Sequence, residues 1–528
     1  MSNIKVFIAD DVNEEKLAPL REAGFTVEKR IKLSPEELAE AMKDFDGLIV
    51  RSETKVRNDF MDALPKLRVI GRAGVGVDNI DVKGATARGI VVMNAPDGNT
   101  ITTAEHTVAL LVSMARNVPQ AHALLQSGTW NKKKFVGVEL NGKTLGVIGL
   151  GRIGRHVAKI AKGFGMNIFA FDPFVSEDQA KDLGFEVGSL DDVFANADFL
   201  TIHTPVMDET RNIIGKDAFA KMKKGVRLVN CARGGLVDEN ALLEAIENGT
   251  VAAAALDVYA TEPLPTDSPL LNNPKIITTP HLGASTTEAQ EGVALTVAEQ
   301  MRDYLLSGEL RNAVNAPSMA AKELEAFQPF IDLGEKLGRF QAQIMNENPV
   351  SAVKIEYAGE LAEKDAAPVT RAFLAGLLKD VSARVNVVNA LHIADERGIK
   401  ITTSYTQSKR SSYDIRTAVS SAQTEQTASG MMFANGEGRI TEIGNFSIEV
   451  VPSGFMLLTK NKDVPGVIGK IGTLLGENEV NISRFYLGRE AKGGEALAII
   501  EIDSPLEENV LADLRNLEAV NVARQVKL

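Results

Sequence analysis

The stretch LGVIGLGRIGRHVAKIAKGFGMNIFAFDP, residues 145–173, decides the fold. An apolar run leads into a glycine-rich turn, an amphipathic segment, a second apolar run and an acid. This order predicts a β-strand, a tight turn, an α-helix and a second, parallel strand. The glycines Gly149, Gly151 and Gly154 have the spacing G-x-G-x-x-G. In such units the first lets the chain turn, the second lets the backbone approach a pyrophosphate, and the third lets helix and strand pack closely.

The residue that closes the second strand is Asp172. A carboxylate at this place accepts hydrogen bonds from a ribose 2′-OH and repels a 2′-phosphate. No Arg or Lys follows it nearby. The segment therefore predicts a dinucleotide site for NAD rather than NADP, with the pyrophosphate at the helix N-terminus, where free N–H groups and the helix dipole favour an anion.

The same alternation of strand and helix extends on both sides of this unit. Six strands are predicted around it, which make a complete doubly wound sheet: 144–149, 167–171, 199–202, 226–230, 251–256 and 276–279. Upstream, four apolar runs predict a second parallel sheet: 5–9, 47–50, 68–71 and 90–93. Between these runs a helix is predicted over 34–42, where Ser34 and Glu37 have the spacing of a capping box.

Two further helices link these two sheets. One is predicted over 102–117, and another over 287–305, after Gly283. We expect the second to pack back onto the first 93 residues, so that the chain crosses between the domains near Pro96 and again near Pro280. Two crossings make a hinge, and closure about a hinge is a common response to a ligand.

The remaining chain predicts two more domains. Residues 318–450 combine helices with polar strands, and the last 75 or so residues have the order β-α-β-β-α-β. The predicted fold is α/β, a Rossmann domain inserted into a flavodoxin-like domain and followed by an α+β domain and a βαββαβ domain. The predicted limits are 1–97 with 283–312, 98–282, 318–450 and 453–528.

Composition limits the class of protein. The chain has 528 residues and a net charge of −12, which argues against a general nucleic-acid surface. Its single cysteine, Cys231, cannot form a disulfide within the chain and makes a Cys-based metal cluster unlikely, so no metal is predicted. No signal peptide and no membrane span is predicted, and the expected location is the cytoplasm.

Candidate catalytic groups follow the strands of the central sheet. Ligands bind outside the carboxyl ends of parallel strands, and His203 and His281, two of the six histidines, lie there. Spacing alone does not choose between them. Arg233 follows another strand in a glycine-rich turn, and a guanidinium there can hold a carboxylate. Asp257 and Glu262 follow a fourth, and a carboxylate beside an imidazole fixes its tautomer.

Four stretches, VIGLGRIGR, VNCARGGLVDE, ALDVYATEP and TTPHLGAST, together resemble the D-isomer-specific 2-hydroxyacid dehydrogenases. The stretches VRSETKV, GRAGVGVDN and ELNGKTLG, with the long C-terminal extension, resemble the long branch that acts on 3-phosphoglycerate. The resemblance implies NAD-dependent oxidation of 3-phospho-D-glycerate to 3-phosphohydroxypyruvate, the first step of the phosphorylated route to L-serine. It also implies a homo-oligomer, a tetramer.

The resemblance also implies individual roles. His281 would be the proton-transfer group, Glu262 its partner and Arg233 the substrate-orienting cation. Asp257 would hold the nicotinamide amide, and Thr204 would touch NAD beside His203. The implied cofactor contacts are Gly149, Gly151, Arg152, Ile153, Gly154, Asp172, Thr204, Cys231, Ala232, Arg233, Asp257, His281, Leu282, Gly283 and Ala284. The implied substrate contacts are Arg51, Ala73, Gly74, Val75 and a lysine, Lys132 or Lys134, that reaches a neighbouring subunit's site.

The final unit resembles an ACT domain, which binds amino acids where two copies pair. Asp463 and Asn481 would hold the effector L-serine, and the alternative is an oligomerisation domain without a ligand. Residues 318–450 resemble the intervening, allosteric substrate-binding domain of the long enzymes. In this region Lys409, Arg410 and Arg416 either hold an anion or form a solvated charge cluster.

Two alternatives remain for the whole chain: a dehydrogenase for glyoxylate, hydroxypyruvate or D-lactate, and a non-catalytic NAD-sensing regulator.

Overall fold

The computed structural model describes residues 4–317, 321–345, 349–381, 384–407 and 412–528. Its strands form four sheets, of five, seven, six and four strands. The first two sheets are parallel throughout, the third is mixed and the fourth is antiparallel. The predicted fold class is confirmed: two parallel α/β units are followed by two units built on largely antiparallel sheets.

The first sheet has the strand order β2-β1-β3-β4-β5, the flavodoxin-like arrangement. Strand β2 was not predicted, because it is short, partly exposed and polar in sequence. The predicted capping box is present, with Ser34 and Glu37 each accepting from the other's backbone N–H. The strands are β1 (Lys5–Ile8), β2 (Thr26–Lys29), β3 (Gly47–Val50), β4 (Val69–Arg72) and β5 (Val91–Asn94). The helices are α1 (Ala18–Glu22), α2 (Pro35–Ala41), α3 (Asn58–Asp62) and α4 (Val82–Ala87).

The second sheet has the order β12-β11-β10-β9-β6-β7-β8 and contains the opening stretch as β6, α7 and β7. All six predicted strands are present, and a two-residue strand, β8, extends the edge. The strands are β6 (Thr144–Ile148), β7 (Asn167–Phe171), β8 (Glu186–Val187), β9 (Phe199–Ile202), β10 (Val226–Asn230), β11 (Val251–Leu256) and β12 (Ile276–Thr278). The helices are α5 (Thr100–Ala115), α6 (Val118–Gln126), α7 (Arg152–Gly163), α8 (Glu177–Asp182), α9 (Leu190–Asn196), α10 (Lys216–Lys221) and α11 (Glu239–Glu247).

Helix α12 (Thr287–Ser307) returns to the first sheet, as predicted for the segment after Gly283. Its buried face, which includes Val297 and Met301, joins the core cluster formed by β1, β4 and β5. The approach is close: a Cβ on Gly71 would lie 2.5 Å from side-chain atoms of both Val297 and Met301. Because that space is filled, only glycine fits at this point of β4.

The third unit packs two long helices on a six-stranded sheet of order β14-β13-β15-β16-β17-β18. One strand, β13, comes between the helices rather than after them. The helices are α13 (Ala321–Ile344), α14 (Ala367–Leu377) and α15 (Ala390–Glu396). The strands are β13 (Val350–Ala358), β14 (Lys400–Thr406), β15 (Ile415–Ser421), β16 (Glu425–Met432), β17 (Gly438–Ile443) and β18 (Phe446–Val450).

The fourth unit has the predicted βαββαβ order and the sheet order β20-β21-β19-β22. One face of this sheet shares a core cluster with α13 and α14. The elements are β19 (Phe455–Lys462), α16 (Val467–Glu477), β20 (Ile482–Arg489), β21 (Glu495–Ile502), α17 (Glu508–Asn516) and β22 (Val520–Lys527). Each of the four sheets lies within one set of the predicted domain limits, which themselves stay a prediction.

Among the described residues, no helix is both long enough and apolar enough to cross a bilayer.

Candidate active site

The glycine turn has the geometry that its spacing predicts. Gly149 has φ +94°, and a Cβ there would lie 2.8 Å from the carbonyl oxygen of His203. A Cβ on Gly154 would lie 2.0 Å from the Gly149 carbonyl oxygen, so α7 can pack here only with glycine. A Cβ on Gly151 would meet nothing within 4 Å. The turn is therefore tight on the protein side and open in front of the α7 N-terminus.

This opening fits a dinucleotide. No side chain caps the N-terminus of α7, which leaves its first N–H groups for a ligand. The Oγ1 atom of Thr204, beside the turn, is buried without a hydrogen-bond partner in the described residues. Asp172 accepts from the backbone N–H of Leu150 at 2.7 Å and of Phe174 at 2.9 Å. Each of its oxygens retains a lone pair, so the carboxylate stabilises the turn and can still accept from a ribose.

At the same edge of the sheet, His281 and Glu262 form a pair. The imidazole Nδ1 lies 2.7 Å from Glu262 Oε2, and Glu262 Oε1 accepts from the backbone N–H of Tyr259 at 3.0 Å. Burial raises the pKa of Glu262, but the hydrogen bonds from His281 and Tyr259 outweigh it and leave the pKa below its ordinary value. An ionised carboxylate only accepts, so Nδ1 carries the hydrogen and Nε2 is the acceptor in the neutral ring. His281 is 47% exposed, so Nε2 can reach a substrate.

The other candidate, His203, has a different environment. Its Nε2 lies 2.9 Å from Thr201 Oγ1, and its Nδ1 is buried without a partner in the described residues. Burial lowers the pKa of His203 to about 4. An imidazole held neutral and away from carboxylates is poorly suited to exchange protons near neutral pH. The structure thus separates two histidines that sequence spacing left equivalent.

Arg233 joins the two parallel sheets. It follows β10, in a turn that Asn230 fixes by accepting from the Ala232 N–H and donating to the Arg233 carbonyl. Its Nε donates to Asp78 Oδ2 at 3.1 Å, across the interface to the loop after β4. A Cβ on Gly76 would lie 2.0 Å from Arg233 Nη2. The guanidinium therefore lies directly against the loop predicted to hold the substrate.

Two more arginines lie near this guanidinium. Arg51 follows β3 and donates from its backbone N–H to Asp10 and from Nη1 to the Asp11 carbonyl. Arg72 ends β4, and burial, followed by repulsion from Arg233 and Arg51, lowers its pKa to about 10. Arg72 therefore lies close enough to both other guanidinium groups to be repelled by them, and such a cluster of cations can bind an anion.

Comparison with known proteins agrees with this geometry. Residues 108–283 match the NAD-binding domain of the D-isomer specific 2-hydroxyacid dehydrogenases, 326–444 the D-3-phosphoglycerate dehydrogenase intervening domain, and 455–519 the ACT domain. D-3-phosphoglycerate dehydrogenase from Bacillus subtilis is 42% identical over 99% of both chains. That from Archaeoglobus fulgidus is 44% identical over 99% of this chain and 100% of its own.

The chain belongs to the D-3-phosphoglycerate dehydrogenase family.

A solved structure of a glyoxylate reductase from Paecilomyes thermophila is also similar, with 32% identity, a TM-score of 0.55, and coverage of 60% of this chain and 99% of its own. The likeness to this shorter protein shows that part of the chain shares the fold of 2-hydroxyacid dehydrogenases. The family match confirms NAD as the cofactor. It also confirms the predicted membership of the long branch with intervening and ACT domains.

Asp257, the predicted contact of the nicotinamide amide, is surrounded by hydrogen-bond donors at the end of β11. The Asp257 side chain is 0% exposed, and its carboxylate already accepts from Thr279 Oγ1, from the N–H groups of Leu282 and Gly283, and from His106. Three of these donors bind Oδ1, whereas the Gly283 N–H alone binds Oδ2, so Oδ2 retains a lone pair that can accept from a nicotinamide amide. Asp257 also holds the turn that carries His281, and its contact with NAD stays a prediction.

Other implied contacts have the following places. Cys231 is buried behind the β10 end, and burial raises the pKa of its thiol to about 12. Arg152 donates from Nε to Asp97 at 2.8 Å, across one of the chain crossings. The remaining implied cofactor contacts lie in the first turn of α7, in the turn after β10 and in the turn after β12: Ile153, Ala232 and Ala284.

Lys132 and Lys134 lie in an exposed 3₁₀ turn over Lys132–Phe135. Neither lysine side chain forms a hydrogen bond or an ion pair with another residue in the described part of the chain. Their predicted contact with a substrate stays a prediction that needs a second subunit.

The two predicted effector contacts lie at opposite ends of the fourth sheet. Asp463 follows the end of β19, and accepts from the Gly493 N–H at 3.0 Å. Asn481 precedes β20, at the other end of the sheet, and donates to Asp503 at 2.7 Å. Strand β19 has 8 residues, so roughly 25 Å separates them. One small amino acid cannot touch both within one chain, and such a site requires two copies.

In the third unit, the predicted anion contact Arg416 already has a partner. Its guanidinium pairs with Glu442, donates to Ser429 and lies over the Tyr413 ring. The charge is therefore neutralised within the unit. Lys409 and Arg410 lie outside the described residues.

Three residues near the site were not identified from the sequence: Arg72, Asp78 and His106. Arg72 could have been identified in the same way as Arg51, because each is a cation at the end of a strand of the first sheet. Asp78 follows in the same loop, but its pairing with Arg233 depends on how the two sheets meet. His106 lies within helix α5, and no sequence pattern shows which side chain that helix face contacts.

Proposed function

We propose that this protein catalyses the NAD-dependent oxidation of 3-phospho-D-glycerate to 3-phosphohydroxypyruvate, the entry to phosphorylated L-serine synthesis. Full-length relatives at 42% and 44% identity bear the name D-3-phosphoglycerate dehydrogenase. The observation that carries the proposal is the place of the His281–Glu262 pair at the same edge of the second sheet as the glycine turn and Arg233, which in turn lies near two arginines of the first sheet.

The chain's own residues would hold NAD at the α7 N-terminus. The glycine turn leaves room for the pyrophosphate, Asp172 accepts from the ribose, and Thr204 supplies a hydroxyl that lacks a partner in the described residues. When bound, NAD accepts the hydride that leaves the substrate carbon.

The proton follows a separate path through His281. With Nδ1–H directed to Glu262, Nε2 is free to take the hydroxyl proton of the substrate. The ionised Glu262 stabilises the imidazolium that forms, because opposite charges 2.7 Å apart attract strongly in a half-buried site. In the reverse direction the same imidazolium returns the proton to the carbonyl oxygen.

The cations would bind the charged ends of the substrate. Arg233 follows a strand of the same sheet as the glycine turn and lies against Gly76, where it can hold the carboxylate and stabilise the developing carbonyl. Arg51 and Arg72 are left for the phosphate. Burial and then repulsion from the other two arginines lower the pKa of Arg72, and an arriving dianion offsets that repulsion. This division predicts a strong preference for a phosphorylated acid.

The test is an initial-rate comparison of 3-phosphoglycerate with D-glycerate, each with NAD. Loss of charge-assisted hydrogen bonds to the phosphate is expected to lower kcat/KM for glycerate about a hundredfold or more. Faster oxidation of glycerate or D-lactate would replace the proposed substrate. Tight NADH binding without turnover of any of these acids would favour a non-catalytic NAD sensor.

We also propose that the protein is a homo-oligomer, a tetramer, in which L-serine binds between two ACT domains. One observation that supports a subunit contact is the exposure of two large apolar side chains on either side of the lysine turn, Trp130 at 81% and Val136 at 83%. Sedimentation with and without L-serine, together with the rate of phosphohydroxypyruvate reduction, tests both ideas. A cytoplasmic location stays a prediction.

A further inference from the structure

A polar cluster lies behind the turn that carries His281, on the side away from Glu262. Helix α5 supplies His106, whose Nε2 lies 3.2 Å from Asp257 Oδ1 and 3.4 Å from Thr279 Oγ1. One turn earlier on the same helix face, Thr103 Oγ1 donates to the Gly283 carbonyl at 2.8 Å. Helix α5 therefore contacts both the carboxylate and the backbone of the turn.

Asp257 is the centre of this cluster. Its carboxylate accepts from Thr279 Oγ1 at 2.6 Å, from the Leu282 N–H at 2.7 Å and from the Gly283 N–H at 2.8 Å. Its backbone carbonyl accepts from the His281 N–H at 2.9 Å. One residue thus binds three consecutive N–H groups of the turn.

The turn needs this support because its backbone is unusual. His281 has φ +55°, in the left-handed region that non-glycine residues rarely adopt. Such a conformation is maintained only where surrounding contacts determine it. It also sets the direction of the His281 ring, since the 2.7 Å contact with Glu262 requires the turn in this shape.

The charge state of the cluster assigns a role to the His106 ring. Burial raises the pKa of Asp257, but hydrogen bonds from His106, Thr279 and Leu282 outweigh it and leave the pKa below its ordinary value. A buried carboxylate that has no contact with water stays ionised only if hydrogen-bond donors in the protein stabilise its charge. It only accepts, so Nε2 of His106 must carry the hydrogen.

A bound cation does not explain the cluster as well. Ligand atoms of His106, Cys231 and Asp257 lie within 4.8 Å of one another. However, burial raises the pKa of the Cys231 thiol to about 12, and N–H and O–H donors occupy the Asp257 oxygens. The ring–carboxylate contact is therefore a hydrogen bond within the protein.

We propose that His106 is a positioning residue for the proton transfer by His281. By donating from Nε2 to Asp257, it keeps the carboxylate in place to hold the turn 279–283, and so directs His281 at the substrate. The role rests on the proposed function, because it matters only if His281 transfers the proton.

The test compares His106→Leu, which removes the donor, with His106→Gln, whose Nε2 can donate from a similar position. The control is His392→Leu, since His392 also lies on a helix beside a carboxylate, 3.3 Å from Glu396, but in the third unit. Kinetics are measured with NADH and phosphohydroxypyruvate. We expect His106→Leu to lower kcat about ten- to a hundredfold, with KM changed less than about threefold, and His106→Gln to restore most of the loss.

A second measurement does not depend on turnover. Hydrogen exchange of the Leu282 and Gly283 amides is expected to speed up about tenfold or more in His106→Leu, and to stay near the wild-type rate in His106→Gln and His392→Leu. Equal kcat in His106→Leu and wild type, or equal loss in the Leu and Gln variants, would overturn the positioning role. Unchanged exchange would overturn it too. An inactive wild type would instead overturn the proposed function, while the exchange result still decides the role of His106.

Discussion

Replacing Gly154 by alanine tests whether the tight side of the glycine turn is as close as the structure places it. The new Cβ would lie 2.0 Å from the Gly149 carbonyl oxygen, whereas real Cβ atoms essentially never come within 3.0 Å of another heavy atom. Helix α7 must therefore move by about 1 Å, because a backbone carbonyl cannot rotate away as a side chain does. Such overpacking destabilises by up to about 3 kcal/mol, and the gain in helix propensity offsets only about 1 kcal/mol.

Function should suffer with stability in this variant. A shift of about 1 Å in the N–H groups at the α7 N-terminus is expected to lower kcat/KM about a hundredfold. The assays are urea denaturation for the free energy of unfolding, NADH fluorescence titration for the Kd, and initial rates for turnover.

Two matched glycines separate the effects. Gly151→Ala introduces a Cβ with nothing within 4 Å, so stability should be unchanged while the methyl group occupies the pyrophosphate space and weakens NADH binding about tenfold or more. Gly163→Ala, at the other end of α7, also meets nothing within 4 Å and should change neither binding nor rate. A Gly154→Ala protein as stable as wild type, with unchanged Kd, would refute the reasoning.

Three further predictions concern titratable side chains in or beside the site. Glu262→Gln should lower kcat about 10²- to 10³-fold and change the Kd for NADH little, because Gln retains the shape of Glu but not the charge that stabilises the imidazolium. Initial rates check the change in kcat, and NADH titration checks the Kd. His203→Asn should make the free energy of unfolding depend less on pH. Native His203 has a pKa of about 4 and stays neutral, whereas the unfolded residue protonates near 6.5, so wild type loses up to about 3 kcal/mol of stability as the pH falls from 6.5 to 4. Urea midpoints measured across that pH range should show a smaller loss in the variant. Arg72→Met should raise the KM for phosphohydroxypyruvate about tenfold or more and leave NADH Kd unchanged, and an unchanged KM would show that Arg72 does not contact the phosphate.

Much of the architecture follows from the sequence because buried parallel strands are continuous apolar runs. All six strands predicted around the glycine turn are present, and the capping box at Ser34 forms as its spacing predicts. In the two parallel sheets, the two strands not predicted, β2 and β8, are short and partly exposed at sheet edges. Such strands owe their conformation to the neighbouring strand rather than to their own residues.

The sequence predicts those site residues that directly follow a strand of the second sheet. His281, Glu262 and Arg233 follow strands of one sheet, and the rule for parallel sheets brings them to one edge. His203 differs from His281 in being buried. Burial depends on the packing of all surrounding elements, so the residues next to His203 in the sequence do not predict it. His106 reaches Asp257 across 151 residues of chain, because α5 packs against the β11 end, and that contact exists only in the folded protein.

The most direct test of the account is His281→Asn. The account predicts that turnover of phosphohydroxypyruvate with NADH falls about 10³-fold, while the Kd for NADH and the melting temperature stay close to those of wild type. Asn cannot accept and return a proton as imidazole does, but it fills similar space at a left-handed position that Asn tolerates. Turnover close to that of wild type in this variant would contradict the assignment of His281, and with it the mechanism built on the His281–Glu262 pair.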